Sequence, residues 1–190
     1  GISVAFPGQI QPAYTLAYIL KRRFPDMHLT VGGPAITQIL IRLKGDELAR
    51  ALGPFRSAVL FEGEQALLDL IRSIERDRPV LGVIQGKHRA HLAGLPPPDF
   101  TGLPLDQYLS PEPVLPYDPT RGCYWGRCAF CHYGLTEFGT ARYRERPVER
   151  VLEHLQSLAD THDCRIFYFS QDTIAPATAR RLARAHTAAD

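Results

Sequence analysis

The sequence lacks three features that would each define a class of protein. It has no run approaching the ~18 consecutive apolar residues that a membrane-spanning helix needs, and no basic-then-apolar signal pattern at its N-terminus. Its charge is nearly balanced, with 22 basic and 20 acidic residues among 190. No basic face therefore indicates binding to nucleic acid or anionic lipid. We expect a soluble, cytoplasmic, globular protein that binds neither nucleic acid nor membrane.

Cysteine is also scarce, and its distribution is uneven. Of the four cysteines, Cys123, Cys128 and Cys131 lie within nine residues, whereas Cys164 stands apart. A secreted disulfide framework would spread an even set of cysteines along a short chain. Clustered thiols favour a metal centre in a reducing compartment instead.

Strand and helix patterns alternate through the first half of the chain. Short apolar runs at 2–6, 28–31, 57–61 and 80–85 alternate with helical periodicity at 12–24, from Pro34 to a stop at Gly45, and at 64–76. This alternation predicts βαβ units and a parallel sheet, hence an α/β fold. Residues 96–119 then hold eight of the sixteen prolines, which exclude a helix or a central strand.

The second half repeats the α/β pattern on a smaller scale. A strand at 114–117, a helix at 147–159, a strand at 165–169 and a final helix are predicted. We therefore expect two domains, 1–86 and 114–190, joined by a proline-rich linker at 87–113. Because the chain begins at Gly1 directly with a strand pattern and ends in a helix pattern without a closing turn, we expect it to be a segment of a longer protein.

The cysteines form a C-x4-C-x2-C loop with the sequence R-G-C-Y-W-G-R-C-A-F-C from Arg121 to Cys131. Structural zinc usually takes four ligands in two separated pairs, and a second C-x2-C pair is absent. A histidine or Cys164 could still complete a zinc site, so a zinc-binding interaction module is one interpretation; the candidates are His132, His154, His162 and Cys164. Three thiolates alone suit a 4Fe–4S cluster with one open iron, and Gly122, Gly126 and Arg127 suit a backbone wrapped around it.

The loop resembles the signature of the radical S-adenosylmethionine (SAM) superfamily, whose usual spacing is C-x3-C-x2-C. The extra residue here is typical of a cobalamin-binding branch with loops of the form R-G-C-[YP]-W-G-[KR]-C-x-F-C. The resemblance implies that Cys123, Cys128 and Cys131 hold a 4Fe–4S cluster and that Phe130 packs near the SAM adenine. It also implies that Asp172 contacts SAM, although the family's frequent Gly-Gly-Glu is absent here. A core position for Phe130 and a helix N-cap role for Asp172 are the alternatives.

The first half resembles a cobalamin-binding Rossmann-like domain. Ser3-Val4-Ala5 resembles the S-x-L element, although Ala5 replaces its leucine, and Gly32-Gly33 resembles the G-G element. Glu62-Gly63-Glu64 resembles the family's G-E-G-E segment. Paired glycines at the carboxyl end of a strand let a ligand approach the backbone closely. Each element could alternatively be an ordinary turn, with Glu64 favouring a helix N-terminus. The D-x-H-x-x-G element would precede Gly1.

Together these resemblances imply an incomplete cobalamin-binding domain followed by the first part of a partial (β/α)6 barrel. The implied activity is that of a cobalamin-dependent radical SAM enzyme: SAM is cleaved to a 5′-deoxyadenosyl radical, and methylcobalamin delivers a methyl group to an unactivated carbon. Phrases such as Leu95-Pro96-Pro97-Pro98-Asp99-Phe100 most resemble the branch that matures ribosomally made peptides. The implied partners are a peptide or small-molecule substrate and an electron donor such as flavodoxin or ferredoxin. Ring formation or methylthio transfer would use the same loop.

Overall fold

A computed structural model of the protein describes residues 1–78, 80–128, 142–171 and 173–187. The chain divides into two compact units, Gly1–His88 and Arg89–Asp190. The division lies two residues beyond the predicted end of the first domain. Among the helices of the described residues, none combines the length and the apolar character that a membrane crossing requires.

The first unit is built on four parallel strands whose order in the sheet follows their order in the chain. They are β1 (Ile2–Ser3), β2 (Thr30–Gly32), β3 (Ser57–Leu60) and β4 (Gly82–Gln85). The register places Val31 opposite both Ile2 and Ala58, and Ala58 opposite Val83. The predicted α/β class with a parallel sheet is confirmed.

Four helices connect these strands: α1 (Ile10–Arg23), α2 (Pro34–Leu40), α3 (Gly45–Leu52) and α4 (Glu64–Glu75). One helix was predicted from Pro34 to a stop at Gly45; the structure ends α2 at Leu40 and begins a further helix, α3, at Gly45, which was not predicted. Gly45 has a positive φ of 51°, which glycine adopts readily. Asp46 and Glu47 in the first turn of α3 then favour a new helix N-terminus.

An apolar core lies between the first sheet and helices α1 and α2. Ala13 and Ala17, one helical turn apart on α1, are both buried, and the Tyr14 and Phe55 rings pack edge-on at 5.1 Å. The fully buried members of this core are Val4, Ala13, Ala17, Leu29, Val31, Ala35, Ile36, Leu40, Phe55, Ala58 and Leu60. Truncating a large member to alanine typically costs about 2–5 kcal/mol.

The second unit contains two pairs of strands. β5 (Val114–Tyr117) pairs in parallel with β8 (Ile166–Phe169), and the intervening chain includes α5 (Val148–His162). Between β5 and α5, the short strands β6 (Thr120–Arg121) and β7 (Arg144–Glu145) pair antiparallel. Helix α6 (Pro176–Thr187) follows β8. A parallel strand pair with a helix in the connection is the simplest βαβ arrangement.

The proline-rich segment packs with the second unit. Leu92 and Leu95 are buried, and Phe100 and Leu105 pack against the second apolar core. The buried residues of that core are Leu115, Tyr117, Val151, Leu158 and Cys164. The segment predicted as a linker is therefore attached at its first part and through Phe100 and Leu105, whereas residues 101–104 and 106–113 are exposed.

Candidate functional site

The segment between β6 and β7, residues 122–143, carries Cys123, Cys128 and Cys131 in its sequence and is here called the cysteine loop; the β6–β7 pair forms its base. Thr120 pairs with Glu145 and Arg121 with Arg144, and the backbone N–H of Arg146 donates to the carbonyl of Pro119 at 2.9 Å. Because β6 begins three residues after β5 ends, this loop base lies at the carboxyl end of β5. Ligand sites of open α/β sheets lie at this end of the strands.

Two glycines shape the part of the cysteine loop that carries the first two thiols. Gly122 and Gly126 have positive φ angles of 82° and 58°, which side chains rarely tolerate. The Gly126 N–H donates to Cys123 Sγ at 3.5 Å, and Cys123 and Cys128 are both half-buried thiols rather than disulfides. Hydrogen bonds from backbone amides stabilise negative charge on sulfur and tune iron–sulfur centres.

Three predicted site residues, Phe130, Cys131 and Asp172, lie outside the described residues. Within the ranges that the structure describes, no three His, Cys, Asp or Glu side chains converge on one point. Two of the three predicted cluster ligands are thus placed on the same loop. The Arg127 guanidinium lies over the Trp125 ring at 5.6 Å, so its contact is with an aromatic face.

Three of the side chains that could complete a zinc site instead have partners around the second core. The Tyr117 hydroxyl is hydrogen-bonded to His154 Nδ1 at 3.0 Å. The His162 ring packs edge-on against Phe100 at 5.9 Å, and the Cys164 thiol donates to the carbonyl of Pro113 at 3.1 Å. The fourth candidate, His132, lies outside the described residues.

The chain that follows β8 returns to the base of the cysteine loop. Ser170 N–H donates to the Tyr117 carbonyl at 3.2 Å, and the Thr120 hydroxyl donates to the Thr173 carbonyl at 3.3 Å. The Ala175 N–H donates to the Tyr143 hydroxyl at 3.1 Å. Segment 170–175, which contains Asp172 in its sequence, is therefore attached to the loop base at both ends.

A carboxylate connects the loop base to α6. Glu145 accepts hydrogen bonds from the Thr178 hydroxyl and the Arg181 guanidinium. Burial acts to raise the pKa of Glu145, but the hydrogen bonds from Thr178 and Arg181 outweigh it and hold that pKa below its usual value. The ionised form therefore helps to fix β7 against α6.

A buried arginine connects the loop base to the proline-rich segment. Arg146 is only 6% exposed, and its guanidinium donates to the carbonyls of Leu92, Leu95 and Asp118 at 3.1, 2.8 and 3.1 Å. It also lies over the Tyr117 ring at 5.7 Å. Sequence reasoning missed this residue. No pattern of side chains indicates it, because its hydrogen-bond acceptors are backbone carbonyls.

The same cluster perturbs two titratable side chains. Burial raises the pKa of Tyr117 to about 12. Burial, together with the positive charges of Arg146 and Arg150, lowers the pKa of His154. His154 is therefore neutral at physiological pH and able to accept a hydrogen bond from the tyrosine.

The first unit holds a separate cleft of about 620 Å³, here called the glycine cleft. Its lining includes five of the six residues predicted to bind cobalamin: Ser3, Gly32, Gly33, Gly63 and Glu64. They come from the ends of β1, β2 and β3. The lining also includes Thr30, whose buried hydroxyl oxygen has no hydrogen-bond partner among the described residues.

The paired glycines have a structural role of their own. Gly33 has a φ of 100°, and a Cβ there would lie 2.5 Å from the Val4 carbonyl oxygen. A Cβ at Gly32 would lie 3.0 Å from the Val59 carbonyl oxygen. The close backbone packing therefore excludes a side chain at Gly33 and leaves little room for one at Gly32, and it also leaves this part of the cleft without side chains.

Glu62, the sixth predicted residue, has a different neighbour. Its carboxylate lies 3.3 Å from His88 Nδ1, beyond the end of β4. Phe61, which lines the glycine cleft, has a positive φ of 62° and packs against the His88 ring at 5.4 Å. Positive φ at a phenylalanine is strained, and such strain is frequent at functional sites.

The structure thus brings the predicted residues together in two places, the cysteine loop and the glycine cleft. No model of a known protein family, no characterised protein and no solved structure matches the chain. A functional proposal therefore depends on the geometry of these two places and on the motifs that they carry.

Proposed function

We propose that this chain belongs to a cobalamin-dependent radical SAM enzyme in which Cys123, Cys128 and Cys131 hold a 4Fe–4S cluster. The observation that carries the proposal is the glycine-shaped thiol loop, which leaves and returns at the carboxyl end of β5. The bound cofactors would supply one-electron cleavage of SAM, hydrogen abstraction by the 5′-deoxyadenosyl radical and a methyl group from methylcobalamin. The proposed substrate is a ribosomally made peptide or a small molecule, which would be methylated at an unactivated carbon.

The residues of the second unit would position these reactants. The Gly126 N–H stabilises charge on the Cys123 sulfur, and Thr120 and Tyr143 attach segment 170–175 to the loop base. Asp172 belongs to this segment, and a carboxylate there would bind the amino group of SAM. Phe130, one residue before Cys131 in the sequence, would pack against the adenine. An external electron donor such as flavodoxin or ferredoxin would reduce the cluster.

The glycine cleft of the first unit supports the corrinoid part of the proposal. The volume of the glycine cleft lies within the range of small-molecule sites, roughly 300–1,000 Å³. Gly32 and Gly33 leave its floor open to close approach of a ligand. Ser3 and Glu64 supply polar groups at its lining. The cleft would therefore hold one part of the cofactor and leave the rest outside.

Anaerobic reconstitution with iron and sulfide tests the cluster. We expect a brown protein with about four iron atoms per chain, and loss of most of this iron in Cys123→Ala, Cys128→Ala and Cys131→Ala. Cys164→Ala is the matched control, because that thiol lies in the second core and donates to backbone carbonyls. A colourless protein that holds one zinc ion would contradict the proposal and favour an interaction module.

Two spectroscopic measurements extend the test to the other cofactors. SAM should change the electron paramagnetic resonance signal of the reduced cluster, because the open iron accepts it as a ligand. Hydroxocobalamin should remain with the protein after desalting, as visible corrinoid absorbance. An unchanged cluster signal counts against the radical SAM assignment, and a corrinoid-free protein counts against the cobalamin branch.

A further inference from the structure

Phe61, which lines the glycine cleft, has an unusual backbone conformation. Its φ is 62°, and the other non-glycine residues with positive φ among the described residues are two aspartates, Asp77 and Asp163. Both aspartates follow the ends of helices, and aspartate enters this region of φ far more readily than a bulky residue does. A phenylalanine there is strained, and such strain persists only where the surrounding structure enforces it.

The surroundings of Phe61 hold it from two sides. Its backbone N–H donates to the Thr37 hydroxyl of α2 at 3.2 Å, and its ring packs against the His88 ring at 5.4 Å. Gly86, directly after β4, lies so near this turn that a Cβ on it would be 1.9 Å from the Glu62 carbonyl oxygen. Because only three residues connect β3 to α4, the turn has little freedom and keeps the Phe61 ring at the cleft.

The lining of the glycine cleft includes no lysine, arginine or histidine among the described residues, and its one charged side chain is Glu64. Phosphate and carboxylate groups bind best to positively charged side chains, so the cleft disfavours the anionic part of a ligand. Gly32 and Gly33 present bare backbone on another part of the lining. An aromatic side chain and a bare backbone surface in one cleft suit a flat, uncharged ring. The other apolar side chains of the lining are Ile2, Val31, Val59 and Leu67.

We propose that Phe61 is a ligand-binding residue and that its ring selects a flat, uncharged heteroaromatic ring for the glycine cleft. The proposal rests on the proposed function, in which the cleft holds one part of a corrinoid. It names that part as the nucleotide base, rather than the amide-rich corrin rim or the phosphate. A free nucleoside carries a base of the same chemistry. The face of the phenylalanine ring offers either base a stacking contact that a leucine of similar size does not offer.

Titration of the chain with three probes tests this role of Phe61. Hydroxocobalamin carries a corrin and a base, cobinamide carries the corrin without the base, and adenosine carries a base without the corrin. Equilibrium dialysis gives the Kd of each. We expect Phe61→Leu to weaken hydroxocobalamin binding about tenfold and to leave cobinamide binding unchanged. Weaker binding of adenosine alone would support the role of Phe61 and identify a free nucleoside as the source of the ring.

Phe55→Leu is the matched control, because Phe55 is 4% exposed in the first core and lies outside the lining of the cleft. It should lower the stability of the first unit in urea but leave all three affinities unchanged. Circular dichroism checks that both variants are folded.

Three results would overturn the role of Phe61. They are equal weakening by Phe55→Leu, cobinamide binding that falls as much as hydroxocobalamin binding, and affinities for hydroxocobalamin and adenosine that Phe61→Leu does not change. A wild-type chain that binds adenosine but neither corrinoid would instead contradict the cobalamin branch of the proposed function, and a chain that binds none of the three probes would contradict both proposals.

Discussion

The two candidate sites are built in opposite ways. The glycine cleft is formed where three parallel strands approach so closely that Gly33 cannot carry a Cβ and Gly32 has little room for one. The base of the cysteine loop is formed by side chains: Arg146 and Glu145 reach residues far away in the chain. The glycine cleft therefore depends on glycines that lack side chains. The base of the cysteine loop depends on the polar side-chain atoms of Arg146 and Glu145.

This difference determines how each site responds to substitution. In the cleft, a Cβ added at Gly32 or Gly33 meets backbone, which cannot move without disturbing the sheet. At the loop base, a removed side chain leaves buried carbonyls without their donors. Because Trp125 is the only tryptophan, its fluorescence follows the second unit, whereas circular dichroism follows both units. The two sites can therefore be tested separately in one protein.

The largest effect should come from adding one methyl group to the cleft. Gly33→Ala places a Cβ 2.5 Å from the Val4 carbonyl oxygen at a φ of 100°, a region that is essentially restricted to glycine. We expect a loss of about 3 kcal/mol or more in the stability of the first unit. Urea denaturation followed by circular dichroism measures it, with the Trp125 transition unchanged.

Gly8→Ala is the control for this substitution, because a Cβ at Gly8 would have no neighbour within 4 Å. Its stability should match that of the wild type. If Gly33→Ala were equally well tolerated, close strand packing would not explain the glycine at position 33. Ligand binding alone would then explain it.

Much of the first unit could be predicted from the sequence. Apolar periodicity located its four strands, and the spacing of Ser3 and Gly32-Gly33 predicted residues that the structure places around one cleft. Helix α3 was missed, because a glycine that ends one helix and a glycine that begins the next have the same sequence signal. Glu62 was predicted with Glu64 to bind cobalamin, and this stays a prediction; its carboxylate lies 3.3 Å from His88 Nδ1, a neighbour that no motif indicated.

Less of the second unit could be predicted. The cysteine spacing located the loop, and β5 and β8 were found from their apolar runs. Strands β6 and β7 have two residues each, too few for any periodicity. The acceptors of Arg146 are backbone carbonyls, which every residue possesses, so no pattern of side chains indicates them. Contacts of this kind appear only when the chain is folded.

The second test concerns the side-chain network at the loop base. Arg146→Met keeps an apolar stem but removes the donor to three carbonyls, of Leu92, Leu95 and Asp118. We expect a loss of about 2–4 kcal/mol in the stability of the second unit, measured by Trp125 fluorescence in urea. Faster protease cleavage within 89–113 should accompany it, because the proline-rich segment loses its attachment.

Arg150→Met provides the comparison on the neighbouring helix. Arg150 pairs with Glu153 on the surface of α5, with both side chains more than half exposed. Exposed pairs of this kind contribute little, so we expect a change within about 0.5 kcal/mol. If Arg146→Met were as mild as Arg150→Met, the loop base would not depend on particular side chains as argued here.

The smallest expected effect is a dependence of stability on pH. In each unit, one histidine with a lowered pKa should produce it. Burial lowers the pKa of His28 in the first unit and of His154 in the second, with nearby positive charges adding to both shifts. The unfolded chain, with a histidine pKa near its usual 6.5, then binds protons more readily than the folded chain. Stability therefore falls as the pH drops below 6.5, and it levels off below the lowered pKa of the folded form.

His154→Gln separates the two contributions, because glutamine can still accept a hydrogen bond from Tyr117 but does not titrate. Between pH 7.5 and 5, we expect the wild-type Trp125 transition to lose stability with a slope of at most about 1.4 kcal/mol per pH unit, and the variant to lose less. This range stays above the lowered pKa of Glu145, which would contribute only in stronger acid. His28→Gln should leave the Trp125 transition unchanged and alter only the first unit. An identical pH profile for wild type and His154→Gln would show that the Tyr117–His154 contact does not control the protonation of this histidine.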